Sequence, residues 1–135
     1  MNLIKTLDLE LHGDERGSLI AFEAQKNIPF DIKRVYTIFN TQPGVSRGFH
    51  AHRNLKQIAV CLAGSCRFVL DDGTQRQEIT LNNPLKGLII DEWIWREMHD
   101  FTTDCVLMLI ANQPYDEQDY IRDYQQFKTL VSTNP

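Results

Sequence analysis

A chain of 135 residues suits one domain, residues 1–135, with room for a single core and none for a second lobe. With 42% hydrophobic and 24% charged residues it reads as a folded polypeptide and not a disordered tail. A net charge of −4 argues against a nucleic-acid binder, which carries a basic field, but leaves room for a small anionic ligand held by a local arginine cluster.

The opening stretch, MNLIKTLDLELHGDERG, lacks an apolar leader run and a cleavage pattern, and no window has the length of a membrane span, so a cytoplasmic protein is expected. Asp14-Glu15-Arg16-Gly17 reads as a turn into a strand SLIAFE, and Asn27-Ile28-Pro29 closes that region. KRVYTIFN is rich in β-branched and aromatic residues and predicts a strand. SRGFHAHRNLKQ, Ser46 to Gln57, begins as another. KQIAVCLAG and SCRFVLD follow, divided near Gly64, and Asp72-Gly73 predicts a two-residue hairpin into TQRQEITL. After a break at Asn82-Asn83-Pro84 come two short strands, KGLIID and WIWREM. DCVLMLIAN is apolar on both faces and predicts a central strand. These turn signals, about eight to twelve residues apart, favour an all-β sandwich or barrel. Only the tail, DEQDYIRDYQQFKTLV, has helical spacing, with Tyr120/Ile121, Tyr124, Phe127 and Leu130/Val131 on one stripe and Asp116 as N-cap. Its polar face is not basic, which argues against a recognition helix.

The chemistry concentrates in RGFHAH. On a strand, His50 and His52 share a face, roughly 7 Å apart along the backbone, while Phe49 and Ala51 point away. Gly48 lets the strand bend or be closely approached. Two structural or exposed histidines are the plain alternative; Arg47 beside the pair and His99 further on weaken it. A metal site would want a carboxylate about five residues after the second histidine, and the chain has Gln57 there. The amide brings no charge to offset a cation, although His99 could complete a three-histidine set. Proton transfer needs no such repair: an imidazole titrates near working pH, and arginines supply fixed positive charge for a phosphate or an enolate. Cys61, Cys66 and Cys105 lie in apolar runs and read as buried, reduced thiols. Lys33, Arg34, Arg53 and Lys56 read as solvated strand-end charges, with pyrophosphate contact as the alternative. Trp93 and Trp95 read as packing residues.

RGFHAHR together with VCLAGSCRFVLDDG resembles the cupin-type nucleotide-sugar 3,4-ketoisomerases, among them those acting on dTDP-4-keto-6-deoxyglucose. The likeness continues through RGSL, NIPFDIKRVYTIF, WREMHDFTTDCVLMLIA and YDEQDYIRDYQQF, nearly the whole chain. It implies an all-β cupin or jelly-roll double-stranded β-helix with a short C-terminal helix and no cofactor or essential metal. It implies a homodimer exchanging N-terminal strands. It further implies isomerisation of a dTDP-linked 4-keto-6-deoxyhexose to the 3-keto sugar, which an aminotransferase then consumes on the way to 3-amino-3,6-dideoxysugars of surface glycans such as O-antigen. Position by position, His50 matches the base that removes the C3 proton, and His52 matches a second histidine that protonates C4 or orients the intermediate. Arg47 matches an arginine ahead of the pair. Tyr36 is a pocket-facing candidate, and Arg16 and Arg96 match positions that line the sugar end of the pocket; His99 reads from the residues as ordering the pocket through hydrogen bonds or as merely ending its strand. Some relatives carry histidine in place of Arg96; with Arg16 and Arg96 both arginine, neither a galacto nor a gluco product is assigned. The rival readings are a sugar-binding cupin without turnover, a dTDP-sugar epimerase working with a tyrosine acid, and a metal-dependent cupin oxygenase.

Overall fold

Short β-branched and aromatic runs, cut by Gly, Pro, Asn and Asp, leave this chain little choice but strands. The computed structural model describes residues 2–133. In chain order the strands are β1 (Lys5–Asp8), β2 (His12–Asp14), β3 (Gly17–Leu19), β4 (Arg34–Phe39), β5 (Arg47–His52) and β6 (Gln57–Ala63). β7 (Cys66–Asp71), β8 (Arg76–Leu81), β9 (Lys86–Ile90), β10 (Trp95–His99), β11 (Val106–Ala111) and β12 (Tyr120–Ile121) follow, and helix α1 (Tyr124–Thr133) ends the described chain. One five-stranded sheet has the order β1-β9-β6-β11-β4 and a second the order β12-β5-β10-β7-β8, while β2 and β3 form a separate hairpin. All strand pairs are antiparallel. The two sheets face each other as the jelly roll expected from the sequence.

Strand alternation places Ala59, Phe68, Leu70, Leu88, Leu107 and Leu109 between the sheets. The outer faces are covered too. Leu9, Ile28 and Phe30 of the N-terminal segment lie over Ile58, Val60 and Ile110. Phe127 of α1 packs over Ala51, Trp95 and Ile121. Double-sided cover explains why β6 and β11 read as nearly unbroken apolar runs, and β11 sits inside its sheet between β6 and β4, as expected.

Three local expectations are corrected. The helix does not begin at Asp116. That residue caps a single 3-10 turn at Glu117–Asp119, Tyr120–Ile121 then pairs with β5, and α1 starts only at Tyr124. Asp123 caps α1, its carboxylate accepting from the Gln126 N–H at 3.0 Å. The Asp72-Gly73 turn spans four residues, because the Asp72 carboxylate gathers the N–H groups of Thr74 and Gln75 into an Asx-type turn. SLIAFE contributes only its first residues, as β3, before the chain turns to cover the sheet. Among the described residues no helix is long and apolar enough to cross a membrane.

Candidate active site

A bulge aims the histidines. On β5, Gly48 has φ 90° and Phe49 φ 58°, both left-handed. Opposite them the β10 register slips, so that Arg96 faces His50 and Glu97 faces Gly48, with Phe49 left over. Bulges of this kind re-aim side chains beside active sites. Glycine suits position 48, where the backbone is left-handed and a Cβ would stand 3.0 Å from the Arg96 carbonyl oxygen. Beyond the bulge His50 and His52 point to the same side, their ring centroids 4.9 Å apart and nearly perpendicular. Tyr120 closes over both, at 4.9 Å from His50 and 4.3 Å from His52.

Beneath the rings lies Arg96, only 2% exposed. It makes no ion pair among the described residues; its guanidinium donates to the Ile94 carbonyl and, at 2.8 Å, to the Gln57 side-chain oxygen. The other end of the Gln57 amide donates to the Tyr36 hydroxyl at 2.7 Å. Gln57 is therefore a two-ended bridge, accepting from a cation and donating to a phenol, which a glutamate could not do. The residue that breaks the metal-ligand pattern in the sequence is the one that holds a fixed cation in the site. That donor set does not fit a resident dication: the carboxylate is missing and a guanidinium already supplies the charge.

Arg96 also sets the protonation of its neighbours. Burial, with the guanidinium charge second, lowers the His50 pKa to about 4 and drives His52 down as well. Both imidazoles are neutral at pH 7. The His52 Nδ1 lies 3.1 Å from the Asp119 carboxylate, which also accepts from the Asn54 N–H. With Asp119 as acceptor, Nδ1 carries the hydrogen and Nε2 is left as a lone pair. The His50 Nδ1 is buried with no hydrogen-bond partner among the described residues. Burial raises the Tyr36 pKa, so its phenol stays protonated.

The imidazole pair opens on two adjoining clefts. One, of about 430 Å³, is bounded by His50, Tyr36, Arg47, Arg34, Tyr120 and Arg122. The other, of about 380 Å³, lies across Tyr120, with His52, Asn54, Asp119 and Tyr115 on its walls. Three guanidinium groups rim the first cleft; Arg34 lies 4.3 Å over the Tyr36 ring and Arg122 4.1 Å over Tyr120. Of the residues singled out from sequence, His50, His52, Tyr36, Arg47 and Arg96 come together here. His99 does not. It lies an odd number of residues from Arg96 and so occupies the opposite face of β10, bonded to Ser46 and Glu97. Arg16 sits on the β2–β3 hairpin, its side chain 86% exposed and paired with Asp14. Sequence reasoning missed Asp119 and Tyr120, hidden inside an apparent helical stripe, and it read Arg34 as a solvated strand-end charge.

Known proteins resemble this chain over nearly its whole length. Residues 2–132 match the family described as FdtA: WxcM-like, C-terminal. The chain is 57% identical over 119 residues to the TDP-4-oxo-6-deoxy-alpha-D-glucose-3,4-oxoisomerase of Aneurinibacillus thermoaerophilus, covering 88% of this chain and 86% of that one. A crystal structure of a 3,4-ketoisomerase from Helicobacter canadensis superposes with a TM-score of 0.93 at 45% identity, over 96% of this chain and 97% of the other. A histidine-to-asparagine mutant of the 3,4-ketoisomerase QdtA from Thermoanaerobacterium thermosaccharolyticum, crystallised with TDP-4-keto-6-deoxyglucose, gives 0.94 at 38% identity, over 98% and 96%.

Proposed function

We infer, from the membership of this chain in the FdtA family of WxcM-like C-terminal proteins, that it is a nucleotide-sugar 3,4-ketoisomerase moving the ketone of a dTDP-4-keto-6-deoxyhexose from C4 to C3. The relative crystallised with TDP-4-keto-6-deoxyglucose supports that substrate. One observation carries the mechanism: two neutral imidazoles stand ring to ring, each opening on one of two adjoining clefts, beside a buried guanidinium that makes no ion pair among the described residues.

The hydrogen on C3 is acidic because C4 is a carbonyl. His50 takes that proton, the C3–H electron pair becomes the C3–C4 double bond, and negative charge gathers on the C4 oxygen. The field of Arg96 favours that anion in a place shielded from water. General-base action contributes about 10²–10⁴ in rate. The C3 hydroxyl proton then moves to the C4 oxygen, the proton held by His50 is delivered to C4, directly or relayed through the His52 Nε2 lone pair, and the C3 oxygen becomes the ketone. Nothing is oxidised overall; hydrogen and double bond change places within one sugar. Asp119 fixes the tautomer that presents the His52 Nε2, and Arg34, Arg47 and Arg122 offer paired donors for the diphosphate.

We place the enzyme in the cytoplasm as a homodimer that exchanges N-terminal strands. Support comes from its three free thiols and from apolar residues left outside: Leu19, Val35 and Phe39 are 58%, 53% and 61% exposed. The dimer brings Arg16 of one chain to the pocket of the other. The 3-keto product carries the carbonyl an aminotransferase needs to build a 3-amino sugar. Incubation with dTDP-4-keto-6-deoxyglucose in heavy water, followed by NMR, tests the reading: the ketone should appear at C3 with deuterium at C4. His50→Asn should fold, still bind the nucleotide sugar and lose deuterium exchange at C3. Exchange retained in that variant removes His50 from the base role. An unmoved ketone with inverted ring carbons would make the protein an epimerase.

A further inference from the structure

Some 13 Å along the same inward face of β6 from Gln57, at the far end of the strand, the three cysteines converge. Cys61 lies two residues before the end of β6, Cys66 begins β7, and Cys105 lies just before β11. All three are buried and free. Their sulfurs lie within 4.8 Å of one another, and the Cys61–Cys105 pair is at 3.8 Å. Among the described residues no other group of three ligating side chains comes this close. Metal–sulfur bonds of about 2.3 Å in a trigonal plane set sulfurs roughly 4 Å apart, so the thiols stand near bonding positions before any ion enters.

The surrounding chain is built to hold them there. Gly64, at φ 66°, turns β6 into β7, and a Cβ on it would fall 2.3 Å from the Thr102 Oγ1 and 2.8 Å from the Cys105 Cα. Only a glycine lets the turn approach the 102–105 loop so closely. Two backbone hydrogen bonds fasten that loop: Thr102 N–H donates to the Ser65 carbonyl at 3.0 Å, and Cys105 N–H donates to the Thr102 carbonyl at 3.0 Å. The Ser65 N–H donates in turn to the Thr102 hydroxyl at 2.9 Å. Phe68, Phe101 and Leu107 belong to the same apolar cluster.

We propose that Cys61, Cys66 and Cys105 form a metal site, separate from the isomerase centre, for a soft, low-coordinate monovalent cation of the copper(I) class. Sulfur-only donors select such ions. Zinc would want a fourth ligand beyond the three sulfurs. Binding displaces thiol protons and involves no change of oxidation state.

The test is anaerobic titration of the reduced, chelator-dialysed protein with copper(I) held by a chromophoric chelator. The protein should withdraw one copper per chain and gain thiolate-to-metal charge-transfer absorption, and X-ray absorption should show three sulfur neighbours. As the chain has three cysteines in all, those wild-type readouts assign the site without a variant. Cys66→Ala and Cys105→Ala, where they fold, should each weaken binding at least roughly tenfold to a hundredfold, the loss that even outer-shell changes cause at metal sites. Copper remaining with the chelator, oxygen or nitrogen neighbours, or unchanged binding in the folded variants overturns the proposal. Tight zinc binding with copper(I) refused would overturn the choice of ion.

Discussion

Arg96 sets the character of the site one residue at a time: it holds Gln57, and through Gln57 Tyr36, and, second to burial, its charge keeps both imidazoles neutral. A consequence follows for pH. The His50 pKa falls from an ordinary 6.5 to about 4 in the folded chain. The base is therefore competent well below neutrality, and kcat/KM should hold level from neutral pH to about 5 before declining. Decline with an apparent pKa near 6.5 would show that the base is not this buried imidazole. Stability moves over the same window. Between about 4 and 6.5 the unfolded chain binds a proton that folded His50 refuses. The stabilisation is therefore complete above 6.5 and is lost as pH falls toward 4, at roughly 1.4 kcal/mol for each pH step of one between those limits. Urea unfolding at about pH 7 and pH 5 measures it; because folded His52 refuses a proton over the same window, His50→Gln should remove only the His50 share of the difference.

At the scale of elements, the β5 bulge is the device that turns an ordinary alternating strand into a paired-imidazole platform. Gly48→Ala should destabilise by about 1–2 kcal/mol for the left-handed backbone alone, with crowding of the Arg96 carbonyl added. Because the bulge aims His50, activity should fall further than stability explains. A folded variant with wild-type kcat, seen by thermal unfolding and steady-state assay, would mean the bulge is incidental. The alternation of RGFHAH was legible in the sequence because it depends only on strand parity. Parity could also have separated His99 from Arg96. The burial of Arg96 was not legible, because it depends on β10 lying beside β5 in one register. The tail misled for a physical reason. Tyr120, Tyr124 and Phe127 keep helical spacing although the first belongs to a strand, and Asp116 and Asp123 are equally good caps in sequence. Only pairing with β5 decides between them, and that pairing brings Tyr120 and Asp119 to the histidines.

For the whole molecule, the proposed exchange of N-terminal strands bears on Arg16. Its hairpin stands apart from both five-stranded sheets, and β4, whose outward Val35 and Phe39 are exposed, is an unpaired sheet edge. An edge of that kind invites a strand from another chain, and a two-fold axis makes such an exchange reciprocal. If each pocket takes Arg16 from the opposite chain, two inactive variants should complement. Arg16→Ala keeps its own His50 but offers its partner no arginine; His50→Asn lacks the base but supplies one. Random reassortment puts half of the chains into mixed dimers, each with one complete pocket, so the mixture should recover about a quarter of wild-type activity. Sedimentation should show the same dimer mass throughout. Additive residual rates after exchange would place Arg16 in its own chain's pocket or outside the reaction, whereas a monomer by sedimentation would remove the exchanged-strand assembly itself.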